Sequence, residues 1–282
     1  MRVTNKFGLP DAIARAVAND PYNLEDTGDI SVTRLIDSPR VRGLSMLHAA
    51  DLEEDASERI WALLGQAVHA VIERADVDAV TEKRLYADIG GWRVSGKFDR
   101  LSVDDNTLTD YKVTSVWSVL GGVAKPEWER QLNCLRYLAV VAGYEVDRLT
   151  IVAILRDWQV SKADSGGGYP RVPAVELQVP MWPLETTENY MRERVLEHQR
   201  WLDGRSPCTA EERWERPSTY AVMKSGRKSA IRVFDTPAEA ELFSKDSPGS
   251  WVEYRLGASI RCESYCPVRA FCDQRASLHL EV

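Results

Sequence analysis

The sequence predicts an α/β protein, and three observations carry that reading. Two segments rich in β-branched and aromatic residues, Trp92–Asp99 and Leu108–Val113, flank a polar turn at Val103–Thr107. Leu149–Leu155 is a continuous apolar run, as expected of a central strand buried on both faces. Around these strands, Trp61–Arg74 and Pro183–Leu202 place apolar residues at helical spacing. Strands interspersed with amphipathic helices imply helices packed on a sheet.

The remaining elements follow in order. Pro10–Asn19 reads as a helix followed by an acidic turn, and Ser31–Leu47 as containing a short helix against the core. In Trp61–Arg74, residues Trp61, Leu64, Val68, Val71 and Ile72 mark the face expected to be buried. A further helix carries Gln131 and Cys134, and Ser165–Tyr169 is a glycine-rich tip between strands. Near the C-terminus, Tyr220–Lys224 and Ala230–Phe234 read as strands around Ser225–Lys228. Thr236–Phe243 reads as a helix with threonine at its N-cap and proline in its first turn, and Trp251–Tyr254 as a returning strand. The result is a ββαβ module over 213–258.

Composition fits one large core with an appendage. The chain has 282 residues, 44% hydrophobic and 28% charged, as in a globular protein. No apolar run approaches membrane-spanning length and no signal segment opens the chain, so a cytoplasmic protein without membrane partners is expected. The net charge of −7 is unevenly spread. Residues 20–60 carry ten acidic against four basic side chains, whereas 213–232 carry six basic against one acidic. The basic region, with Lys224, Arg227 and Lys228 at its hairpin tip, suits phosphate contacts as well as it suits a solvated turn. Trp214 and Tyr220 beside it suit base stacking or packing.

Chemistry concentrates in Gly96-Lys97-Phe98-Asp99 and Asp110-Tyr111-Lys112. Taken singly, each aspartate is an ordinary strand-end or turn residue. Pairing the strands across the turn brings the two carboxylates together. Lys112 then shares a strand face with Asp110, because strand side chains repeat every second residue. A hard cation such as Mg²⁺ or Mn²⁺ takes a few carboxylate oxygens and keeps positions for water and phosphate. His69 adjoins the apolar stripe of its helix, so a hydrogen-bonded core histidine competes with a metal ligand. Gly65, four residues earlier, lets a backbone or ligand come close. Glu82, placed just before the strands begin, is a further carboxylate candidate or a solvated surface group.

Five cysteines occur, three of them as Cys262-x-x-x-Cys266-x-x-x-x-x-Cys272. In an intracellular chain this spacing reads as a metal site rather than as disulfides. Cys134 lies in an apolar helix and reads as a small buried hydrophobe, which leaves Cys208 as the fourth ligand. Four thiolates suit zinc or an iron–sulfur cluster, and either would stabilise a module with little core of its own.

In order, Gly65-x-x-x-His69, Gly96-x-x-Asp99, Asp110-x-Lys112 and Gln131 with Tyr137 resemble the nuclease domain of the RecB-like branch of the PD-(D/E)XK superfamily, over roughly residues 30 to 160. The resemblance implies a restriction-endonuclease-like mixed sheet flanked by helices in residues 1–207. A small α+β module tied to the cysteines follows in 208–282. It implies Mg²⁺ or Mn²⁺ held by His69, Asp99, Asp110 and the Tyr111 carbonyl, with Lys112 assisting the water and Gln131 positioning DNA or the lysine. Tyr137 stands two residues beyond the family's tyrosine position, which Leu135 occupies. AddB-type helicase–nucleases and CRISPR-associated exonucleases of this branch end in a cysteine trio that holds a 4Fe–4S cluster, which favours iron over zinc. Their first cysteine lies upstream of the nuclease core; here Ser38 stands there, so the cluster requires Cys208 instead.

The expected function is therefore a metal-dependent DNA exonuclease of recombination, repair or phage DNA processing, prokaryotic or phage-encoded, with a structural cluster. Without helicase motifs it would act on single strands or free ends, or beside a helicase, polymerase or recombination partner. The alternatives are an endonuclease on the same core and a non-catalytic zinc-containing nucleic-acid-binding protein.

Overall fold

The computed structural model describes residues 2–19, 28–75, 78–164, 166–204 and 206–278. The expected acidic turn at 20–27 and Ser165 of the glycine-rich tip lie outside them. The chain divides into two units, Met1–Arg205 and Ser206–Val282, two residues before the expected boundary.

In the first unit the elements run β1 (Arg2–Thr4), α1 (Asp11–Ala18), β2 (Ile30–Ser31), α2 (Val32–Leu35), α3 (Pro39–Leu47), β3 (Glu53–Asp55), α4 (Ile60–Ala75) and β4 (Ala79–Ile89). They continue with β5 (Trp92–Ser102), β6 (Thr107–Thr114), α5 (Pro126–Val141), β7 (Arg148–Leu155), β8 (Ala174–Val179) and α6 (Leu184–Gly204). The fold is mixed α/β: β2, β4, β5, β6, β7 and β8 form a six-stranded mixed sheet flanked by helices. β6 and β7 run parallel from Thr107↔Arg148 to Thr114↔Leu155, while β4–β5, β5–β6 and β7–β8 are antiparallel. β1 and β3 make a separate parallel pair.

The two edges of β5 are used differently. β4 accompanies one edge from Trp92 to Ser102, with a lapse at Asp99. On the other, β2 pairs at Val94 and Ser95 and β6 at Arg100 and Leu101. Among the described residues, Gly96 to Asp99 therefore have no strand beside them on that edge, and a gap opens where the next β5–β6 rung would join Asp99 to Asp110.

Apolar burial fixes which residues face inward. Leu132, Leu135 and Leu138 of α5 and Met191 and Val195 of α6 join Val94, Phe98, Leu101, Leu108, Leu149 and Ile151 of the sheet in one core. A Cβ at Gly96 would come within 2.5 Å of Leu135 Cδ2 and 2.8 Å of Leu138 Cδ1. Glycine there lets α5 lie close against β5.

Three expectations change. β4 begins at Ala79, so Glu82 lies inside a strand rather than before one; its Glu-Lys-Arg stretch hides the alternation. β5 runs on to Ser102, past the expected end at Asp99. The stripe on α4 is not buried: none of that helix's residues is, and Trp61, Leu64 and Val71 are exposed. A stripe at helical spacing shows that a helix has an apolar side, but not that a neighbour covers it.

In the second unit the elements are β9 (Glu215–Arg216), β10 (Thr219–Lys224), β11 (Arg232–Phe234), α7 (Pro237–Lys245), β12 (Ser250–Arg255), β13 (Ala258–Ser259) and α8 (Asp273–Leu278). The ββαβ module is present, with sheet order β11-β10-β12, and β9 pairs with β13 at its base. Thr236 caps α7: its hydroxyl accepts from Glu239 N at 3.4 Å and donates to Glu239 Oε2 at 2.7 Å, with Pro237 in the first turn. Among the described residues no helix is long and apolar enough to cross a membrane.

Candidate active site

The gap between β5 and β6 leaves backbone groups to be satisfied by side chains. The N–H and C=O of one strand residue emerge on the same edge, and at Tyr111 both are taken up by side chains. Tyr111 N donates to Asp99 Oδ2 at 2.7 Å, and Tyr111 O lies 3.0 Å from His69 Nε2. Asp99 and His69 thus stand where a β5 backbone rung would have been.

His69 projects from α4 toward two carboxylates, its Nδ1 being 3.5 Å from both Glu82 Oε1 and Asp99 Oδ1. Glu82 reaches them from β4 through a left-handed backbone, φ 48°, which is uncommon for a non-glycine residue. Its other oxygen lies 2.7 Å from Lys97 Nζ. Across the gap, Lys112 Nζ lies 2.7 Å from Asp110 Oδ2 and donates to Gln131 Oε1 of α5 at 3.0 Å. All seven residues line one cavity of about 620 Å³.

The electrostatics follow from burying several carboxylates together. Burial, and then the neighbouring Asp110 charge, push the Asp99 carboxyl up to about 7. The hydrogen bond to Glu82 raises His69 above its ordinary value, against the opposing effect of burial. Burial pushes Glu82 upward, but hydrogen bonds from His69 and Lys97 outweigh it and leave its pKa lowered.

The donor set fits a hard divalent cation. One ligand atom each from His69, Glu82 and Asp99 lies within 4.8 Å of the others. Asp110 Oδ2 is buried and, although close to the Lys112 ammonium, receives no well-directed hydrogen bond. That oxygen keeps lone pairs which a cation would use.

Most of the expected residues meet here: His69, Asp99, Asp110, Tyr111, Lys112 and Gln131. Glu82 joins His69 and Asp99 as a compact trio, while Asp110 sits beside them paired with Lys112. Lys97 had no assigned role; its position two residues before Asp99, at the strand repeat, was the available signal. Tyr137 does not line the cavity. It packs beside the core near Glu188 of α6, and burial followed by that carboxylate raises its phenol pKa. Gly65 does line the cavity.

In the second unit, Lys224, Arg227 and Lys228 are exposed around the β10–β11 turn. Trp214 packs on Tyr265, with ring centroids 5.5 Å apart, and Tyr220 on Tyr254 at 5.4 Å. Among the described residues no disulfide joins any of the five cysteines. Cys134 is fully buried, and burial pushes its thiol up to about 12. Cys262 feels Cys266 and Cys272, although burial is the larger cause of its raised pKa. Gln274, two residues past Cys272, brackets the Cys208 backbone, accepting from its N–H at 2.7 Å and donating to its carbonyl at 2.9 Å. The four residues thus lie in one neighbourhood. Among the described residues, however, no three cysteine sulfurs lie within 4.8 Å of one another.

No protein-family model matches the chain, and no curated protein matches it. Among solved structures, that of SSO0001 is similar at 19% identity over 65% of this chain and 83% of that one, with a TM-score of 0.45.

Proposed function

We propose that the chain is a Mg²⁺- or Mn²⁺-dependent deoxyribonuclease, an exonuclease on a restriction-endonuclease-like core of the RecB-like kind. One observation carries this reading. A lysine held at 2.7 Å from Asp110 and 3.0 Å from Gln131 shares a cavity with the His69, Glu82 and Asp99 trio.

His69, Glu82 and Asp99, with Asp110 and the Tyr111 carbonyl, would hold the cation. When bound, it supplies a lowered pKa for water and offsets charge developing on phosphate. Gln131 Oε1 fixes the lysine head, which would offer its remaining N–H donors to the attacking water and a non-bridging phosphate oxygen. Asp110 Oδ2, 2.7 Å away, pairs with the ammonium in a half-buried place. Asp99, pushed up to about 7, is partly protonated near neutral pH and would give that proton up when the site loads. Lys97 neutralises one Glu82 oxygen, so the pocket tolerates a phosphodiester despite its carboxylates.

Cys208, Cys262, Cys266 and Cys272 are proposed to hold a structural 4Fe–4S cluster, a reading supported by the spacing of the C-terminal trio and by the two hydrogen bonds that tie Gln274 to the Cys208 backbone. Anaerobically purified protein with no brown iron–sulfur absorption band would remove it.

The nuclease test is digestion of end-labelled single-stranded and duplex DNA and of closed circles, with and without Mg²⁺ or Mn²⁺. Linear strands should shorten from an end only when metal is present, and Lys112→Ala and Asp110→Asn should each cost roughly 10²- to 10⁴-fold. Equal digestion by wild type and both variants would place the activity elsewhere.

A further inference from the structure

α4 leaves an apolar face uncovered beside the cavity, and the side chains around that face are of a particular kind. Trp61, in its first turn, is 56% exposed, and Trp117, just past the end of β6, is 81% exposed. The Arg156 guanidinium stacks on the Trp61 ring, 4.2 Å from its centroid. Among the described residues it has no carboxylate partner. Arg156 N donates to Thr114 O at 2.9 Å, and Asp157 Oδ1 accepts from Val116 N at 2.7 Å. These bonds join the end of β7 to the end of β6, so Trp61, Arg156 and the Trp117 segment stand on one side of the unit.

This ridge leads to the cavity. From Trp61 to His69 the helix advances about 12 Å. Gly65 and Gln66, between them, line the cavity wall, and no atom lies within 4 Å of where a Gly65 Cβ would be. Between the exposed indole and the carboxylates, the α4 surface is thus open at Gly65.

The geometry points to a single-stranded nucleic acid as the occupant: unpaired bases stack on Trp61 and Trp117, and Arg156 takes a phosphate, feeding the strand along α4 into the cavity. This rests on the nuclease reading for its direction, though not for its chemistry. An indole face beside an exposed guanidinium matches a nucleotide, which presents a π face and an anion together. A purely apolar protein contact would not call for an exposed, uncompensated cation at its centre. A duplex keeps its base faces inside its own stack, so only unpaired bases can use the indoles.

The test uses the full chain in EDTA with a fluorescein-labelled thymidine strand and a hairpin duplex of similar length, read by anisotropy. Trp61→Ala and Trp117→Ala should each weaken binding of the single strand by about 5- to 150-fold and that of the duplex by no more than about twofold. Trp61→Phe, which keeps an aromatic face, should retain most of the affinity. Arg156→Glu, at an exposed position, should weaken binding without unfolding the protein, and it serves where a tryptophan variant melts. Absence of single-strand binding by the wild type, equal losses on duplex, or Trp61→Phe failing as badly as Trp61→Ala would each overturn the assignment. Cleavage in Mg²⁺ is scored separately. A wild type that cuts while its tryptophan variants bind normally sinks the ridge alone; one that binds through the ridge yet leaves every strand intact sinks the nuclease reading alone.

Discussion

Glu82 and Asp99 stand opposite one another at the rung where the β4–β5 ladder lapses between Thr81↔Arg100 and Lys83↔Phe98. Both strands change facing there. Inward residues on β5 are Val94, Gly96 and Phe98 and then Leu101; on β4 they are Ile89, Ala87 and Leu85 and then Val80. The register is the same on both sides of the lapse, and the left-handed backbone of Glu82 accompanies the change of facing. That change releases two carboxylates from the regular alternation and sets them beside His69.

A residue at φ 48° inverts the usual order of strand preferences. Among uncharged replacements of Glu82, metal-free stability by urea unfolding should rank Gly at or above Gln, with Val lowest by about 1–3 kcal/mol. In a regular strand valine would rank first. Finding Val as stable as Gln would mean that the site is not strained.

Asp99 makes metal-free stability depend on pH in a definite direction. Its carboxyl has a pKa of 3.8 in the unfolded chain and about 7 in the fold, so the folded state binds the extra proton between those values. The associated stabilisation is complete below about pH 4 and is lost as the pH rises through about 7. Melting temperatures of wild type and Asp99→Asn across that window should show a slope only in the wild type. Calorimetric titration of Mn²⁺ at pH 6 in buffers of different ionisation enthalpy should detect release of at least about one proton, and less in the variant.

Gly96→Ala tests how the lysine is positioned. The added methyl would press on Leu135 and Leu138, one and two turns beyond Gln131 on α5. Overpacking of this kind costs about 1–3 kcal/mol. Moving α5 also lengthens the Gln131–Lys112 bond, so nuclease activity should fall at temperatures where circular dichroism shows the variant fully folded. Full activity in a destabilised Gly96→Ala would separate the helix from the chemistry.

His198, outside the cavity, supplies an acid limit. It is buried in α6, its Nε2 is 3.1 Å from Leu35 O, and burial lowers its pKa to about 4. The unfolded chain takes up a proton near pH 6.5 and the fold does so only near 4. Stability is therefore whole above pH 6.5 and declines as pH falls toward 4, by about 3 kcal/mol. His198→Gln, which can still donate to Leu35 O, should flatten that decline in a pH series of urea midpoints. A decline of equal size in the variant would assign the acid sensitivity to other groups.

The sequence by itself determined the helices around His69 and Gln131, the strands around Asp99 and Asp110, the spacing of Asp110 and Lys112, the buried Cys134 and the ββαβ module with its capped helix. These depend on local periodicity, turn chemistry and capping, which act within a few residues. Tertiary structure decided the rest. It brought Glu82 into the trio, because a lapse in strand pairing is a property of two strands and is not written in either. It turned Tyr137 toward α6 and left the apolar face of α4 bare, because periodicity shows which side of a helix is apolar, whereas the arrangement of the other elements determines whether anything covers it.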